Sequence, residues 1–145
     1  MEVKFVKINA RARAPRYATE GAAGADLYAC LNAPLELLPR ERALIPTGLK
    51  IALPEGTAGF IFARSGLAHR EGLSLSNGVG VIDRDYTGEL KVAAVNLSDK
   101  PVTIEDGERI AQLVIMPVCR AAFLETDALD DTSRGDGGFG STGTK

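Results

Sequence analysis

Apolar residues recur at alternate positions along this chain in short runs, and Gly or Pro punctuates most of them. EVKFVKI (2–8) opens the series. GLKIAL (48–53) sets Leu49, Ile51 and Leu53 at period two, and Pro54-Glu55-Gly56 stops it. GFIFA (59–63), LSLS (73–76), VGVI (79–82), ELKVAAVNL (89–97), PVTI (101–104) and RIAQLVIMPV (109–118) follow. Alternation between turn residues reads as strand. Asp106-Gly107 supplies a turn between the last two runs. No long window has the helical period; residues 65–70 predict one short helical turn, ended by Gly72. The pattern therefore predicts an all-β sandwich or barrel of about eight to twelve strands.

Composition changes this picture at one place. The chain has 145 residues and 45% hydrophobic content, enough for one domain with a core. After Phe123 the sequence turns polar, then acidic, then Gly-rich. The expected division is a barrel domain over 1–125 and a flexible arm over 126–145. The net charge of -2 argues against a nucleic-acid groove. It leaves room for a small anion held by a few arginines. Cys30 and Cys119 read as buried free thiols, and no Cys/His cluster offers a structural zinc site. Charges interrupt the apolar residues of the N-terminus, unlike a secretory leader, and no run reaches membrane-spanning length. The expectation is a cytoplasmic protein with neither membrane nor nucleic acid as partner.

Five stretches carry groups with chemical uses. RGDGGFGSTG (134–143) is either a solubilising end or an arm that closes on a phosphate. Its glycine amides, among them Gly140, can converge on an anion. Ser141 and Thr142 add hydroxyls, Arg134 adds a guanidinium fork, and Phe139 can stack on a planar ring. In ARSGLAHREG, Arg64, Ser65 and Gly66 could hold a phosphate. A hydrolase nucleophile is disfavoured there, because Ala63 stands where the elbow's first glycine belongs. His69 reads as a loop or surface residue.

GVGVIDRDYTGEL (78–90) ends an apolar strand in Asp83, Arg84, Asp85 and Tyr86. It is either a charged turn or a carboxylate that activates water. If extended, it would put Asp83 and Asp85 on one face. In AGADLYA, Asp26 is either a turn aspartate or a carboxylate holding Mg²⁺ through water. In GERIAQLVI, the lone polar Gln112 must bond backbone or face a ligand.

In this order and spacing, the five stretches resemble the five motifs of the trimeric dUTP diphosphatase (dUTPase) family, over nearly the whole chain. The resemblance implies a jelly-roll-like β-barrel in a homotrimer. Its active sites would lie at subunit interfaces, each closed by another chain's arm. It implies hydrolysis of dUTP to dUMP and diphosphate with Mg²⁺, keeping uracil out of DNA and supplying dUMP for thymidylate. Asp83 matches the general base and Tyr86 the residue that packs on the deoxyribose. Asn77, Gly78 and Val81 belong to an expected uracil-reading hairpin. Arg64, Ser65 and Gly66 match the phosphate motif, with Gln112 supporting it. Asp26 matches the metal-holding carboxylate. Arg134, Phe139, Gly140, Ser141 and Thr142 match the arm. A dCTP deaminase on the same fold would need an acid/base pair aimed at an exocyclic amine, for which no convincing match exists. A non-catalytic nucleotide sensor would not need Asp83.

Overall fold

The computed structural model describes residues 1–138. In chain order the elements are β1 (Lys4–Lys7), β2 (Arg16–Tyr17), β3 (Ala25–Tyr28), β4 (Leu35–Leu37), β5 (Arg42–Pro46), β6 (Leu49–Ala52) and β7 (Thr57–Ala63). The helix α1 (Ser65–Glu71) comes next, then β8 (Leu73–Leu75), β9 (Gly80–Ile82), β10 (Lys91–Asn96), β11 (Val102–Ile104) and β12 (Arg109–Pro117). The result is an all-β sandwich, as the alternation predicts, of the jelly-roll type that the resemblance implies.

A five-stranded sheet runs β2-β3-β12-β7-β9, and a three-stranded sheet runs β5-β10-β8. The pairs β1-β6 and β11-β4 complete the structure. Alternation drives the packing. In β6, Leu49 and Ile51 are buried while Lys50 and Ala52 are not. Leu27, Ile45, Leu49, Leu90, Ile104 and Val92 are wholly enclosed. Each such aliphatic side chain stabilises the fold by about 1.5–3 kcal/mol through removal from water.

One buried polar group fixes the neighbourhood of α1. Asn96 is fully buried and donates to the carbonyls of Leu37 (2.9 Å) and Lys100 (2.7 Å). Its Oδ1 accepts from Ser98 N (2.9 Å) and Ser98 Oγ (2.8 Å). The amide's hydrogen-bonding capacity is thereby used, so its burial carries little penalty. Ser98 in turn abuts Gly72, the C-cap of α1, whose φ of 73° is left-handed. A Cβ on Gly72 would lie 2.7 Å from Ser98 N, so the helix stops here and only glycine fits. This anchors α1, and with it the loop that opens it.

Cys30 is buried, as expected, but Cys119 is exposed. The chain leaves the sheet after Pro117, with Val118 N still bonded to the Gly56 carbonyl (2.9 Å), so Cys119 has no sheet to cover it. From Cys119 to Asp136 the residues are exposed and form neither strand nor helix. No helix among the described residues is long and apolar enough to cross a membrane.

Candidate functional site

Four of the stretches singled out above bring their residues to two separate places. At the first, β3, β12 and the start of α1 meet around a cleft of about 270 Å³. Asp26, Arg64, Ser65, Gly66 and Gln112 all line it. Asp26 stands opposite Gln112 in the β3-β12 ladder, so both side chains share a face. Asp26 is thus a strand residue, not a turn or cap. Gln112 donates Nε2 to the Ala63 carbonyl (3.0 Å) and so holds the end of β7 where Arg64 begins. Gly24 makes room for it: a Cβ there would lie 2.8 Å from Gln112 Oε1.

Asp26 is bonded on both oxygens. Arg64 donates Nε to Oδ1 (3.1 Å), and Arg109 donates Nη1 to Oδ2 (3.2 Å). Arg64 also donates Nη1 to the Arg109 carbonyl (3.2 Å). Arg64 is the N-cap of α1; its guanidinium has no acceptor to offer the helix amides and turns to Asp26 instead. The first amides of a helix have no partner within it, so the backbone around Ser65 and Gly66 offers donors here too. Two guanidinium groups thus face one carboxylate, Arg64 in the cleft and Arg109 beside it. Sequence reasoning missed Arg109. His69 is exposed on the last turn of α1, and no hydrogen bond joins it to Ser65 among the described residues.

At the second place, Asp83 follows β9 and lines a larger cleft of about 440 Å³ with Arg84, Asp85 and Arg120. The chain does not stay extended here. Tyr86 N donates to the Asp83 carbonyl (3.1 Å), so the stretch turns, and the common face of Asp83 and Asp85 inferred from alternation is lost. Tyr86 donates its hydroxyl to the Glu89 carbonyl (2.9 Å), and its ring lies against Gly88, where a Cβ would collide with it. Tyr86 is 45% exposed.

Asn77, Gly78 and Val81 are exposed. The expected hairpin is a connection between two sheets instead. β8 pairs with β10 and β9 pairs with β7, and Asn77-Gly78 turns the chain between them with Gly78 at φ 71°. Arg134 is exposed and donates Nε to the Gly137 carbonyl (2.7 Å) within its own segment. Phe139, Gly140, Ser141 and Thr142 lie outside the described residues.

A buried thiol lies apart from both clefts. Cys30 is pushed above the ordinary thiol range, first by loss of solvent and then by the Asp106 carboxylate.

The dUTPase family model matches residues 10–143 of this chain. The chain belongs to the dUTPase family. It is 51% identical over 144 residues to a deoxyuridine 5'-triphosphate nucleotidohydrolase of Desulfitobacterium hafniense, covering 99% of this chain and 95% of that one. A relative of the same name from Hydrogenobaculum sp. is 50% identical over 145 residues, with both chains covered in full. Among solved structures, a substituted dUTPase of Staphylococcus bacteriophage 80alpha, with dUpNHpp, superposes with a TM-score of 0.90 at 27% identity, covering 99% of each chain. This dUTPase is therefore an enzyme, a dUTP nucleotidohydrolase.

Proposed function

We propose that this dUTPase is a cytoplasmic homotrimer that hydrolyses dUTP to dUMP and diphosphate by water attack on the α-phosphorus, with Asp83 as base. The observation that carries this reading is the separation of an exposed carboxylate from a cationic cradle on one subunit. Asp83 sits at the mouth of one cleft, and Arg64, Ser65, Gly66 and Gln112 line another. A nucleotide lying between two copies can meet both. Asp83 takes one proton from the attacking water, the new P–O bond forms, and the bond to the β-phosphate oxygen breaks. Diphosphate leaves against the Arg64 guanidinium and the amides of Ser65 and Gly66. Phosphoryl transfer asks mainly for such alignment and charge neutralisation.

Uracil is read by the exposed backbone around Asn77, Gly78 and Val81, and the open surface of Tyr86 packs on the deoxyribose. A third copy supplies the arm over 126–145. Arg134, Gly140, Ser141 and Thr142 meet the terminal phosphate, and Phe139 covers the base. A Gly-rich segment orders only when a ligand offers it partners, so closure follows recognition.

The donor set fits Mg²⁺ in an outer role. No group of three carboxylate, His or Cys residues is poised for a metal among the described residues. Asp26 already accepts from two arginines on its two oxygens, so it can receive a metal-bound water with its remaining lone pairs. Bound with the triphosphate, Mg²⁺ supplies neutralisation of phosphate charge. By this reading the enzyme keeps uracil out of DNA and supplies dUMP for thymidylate.

The test is diphosphate release from each common deoxynucleoside triphosphate with Mg²⁺. Release from dUTP alone is expected; comparable release from dTTP or dCTP rejects the reading.

A further inference from the structure

Gln112 and Arg109 lie at an odd spacing on β12. In a regular strand their side chains would point to opposite faces. Gln112 stands opposite Asp26, so an unbroken ladder would put Arg109 opposite Ala29 and turn it away from the cleft. The register shifts instead between Arg109 and Ala111, and Arg109 stands opposite Tyr28. Tyr28 and Asp26 share a face. The extra residue, Ile110, buries its side chain at 3% exposure and leaves Arg109 on the side of Asp26. Bulges re-aim side chains in this way, at the expense of local pairing.

The charge count gives this bulge a purpose. Asp26 and Arg64 alone form a neutral pair, a poor receptor for a polyanion. Arg109 adds a positive charge to this pair, alongside Arg16, which stands opposite Asp26 on β2, and Arg70, whose guanidinium lies by Gly66. Arg109 also restrains Arg64 twice, through Asp26 and through its own carbonyl. The Arg64 guanidinium is then fixed in orientation, and its remaining N–H groups have no hydrogen-bond partner among the described residues. The Arg109 side chain is 49% exposed and does not line the cleft itself, so it acts at one remove.

We propose that Arg109 is a positioning residue for the phosphate chain of the substrate. It locks Arg64 through Asp26 and adds to the positive charge beside the cradle. This rests on the dUTPase reading above and extends it to a residue outside the expected set.

The test is titration of the intact protein with the imido analogue dUpNHpp and with dUMP, in chelator and again with Mg²⁺. Arg109→Ala should weaken dUpNHpp about tenfold and dUMP less than about threefold, since charge acts on the longer anion more strongly. KM for dUTP should rise in step, with kcat changed less. Arg109→Lys should recover most of the affinity. Arg109→Ala with Asp26→Asn should bind dUpNHpp in chelator more tightly than Arg109→Ala alone, because Arg64 is no longer neutralised. Arg109→Gln keeps a donor without the charge and gives the same readout if the alanine variant does not fold. Equal losses for dUMP and dUpNHpp would mark a merely structural role and overturn the proposal, as would unchanged binding. Failure of the unaltered protein to bind dUpNHpp would sink the dUTPase site reading and the proposal with it.

Discussion

Asp83 and Arg64 stand at opposite ends of β7. Ile82 pairs with Gly59, so Asp83 lies beside Ala58, while Arg64 directly follows Ala63. At about 3.3 Å per residue the two are on the order of 20 Å apart along the strand. No rotamer change closes such a gap. Complementation between copies is therefore expected. Asp83→Asn and Arg64→Ala should each be nearly inactive alone, yet regain a fraction of dUTP hydrolysis when co-expressed in one oligomer. Mixtures as inactive as their parents would mean that each site is built within one chain.

Asp83→Asn isolates the chemical step. The residue is exposed beyond the end of β9 and supports no part of the core, so the fold should be unaffected. Removal of a general base predicts a fall in kcat of about 10²- to 10⁴-fold. Affinity for dUpNHpp should be nearly unchanged. Single-turnover kinetics and titration separate the two quantities, and near-normal turnover would remove Asp83 from the mechanism.

Truncation after Ser133 addresses the arm. Arg134 bonds within its own segment and the surrounding residues are exposed, so the thermal midpoint should move little. Hydrolysis should drop at least about a hundredfold through lost closure and lost phosphate contacts. Full activity in the truncated protein would show that the arm is dispensable.

The two thiols should differ sharply in reactivity. Cys119 is exposed and should react with a thiol reagent at neutral pH, whereas Cys30 should react only on unfolding. The Cys30 pKa is raised in the folded state, so folding favours the protonated thiol. Its contribution to stability is complete below the unfolded thiol's titration and is lost as pH rises through the folded pKa. Denaturant midpoints should thus fall in alkaline solution, and Cys30→Ala should flatten that decline.

Strands with one wet side were legible in the sequence, as β6 illustrates through Leu49 and Ile51. β3 was not, because Ala25, Asp26 and Leu27 are all buried and leave no alternation to detect. The membership of Asp26, Arg64 and Gln112 in one set was legible only from motif resemblance; the ladder register explains it physically. The turn at Asp83 was hidden because the charged run suits an extended and a folded chain equally well. Cys119 was misjudged because Val118 continues an apolar run past the point where the strand ends. Arg109 escaped notice because periodicity assigns it to the wrong side of β12, and nothing local announces the slip at Ile110.

That slip also bears on how the segment tolerates change. Upstream of Ile110 the odd-numbered neighbour Arg109 looks toward the Asp26 side of the sheet; downstream the even-numbered Gln112 does. A graft of GERIAQLVI into an idealised sheet would deliver the amide and misdirect the guanidinium. Deleting Ile110 would be the opposite lesion: Arg109 would keep its place opposite Tyr28 in an unbroken ladder, and the core would lose an aliphatic side chain.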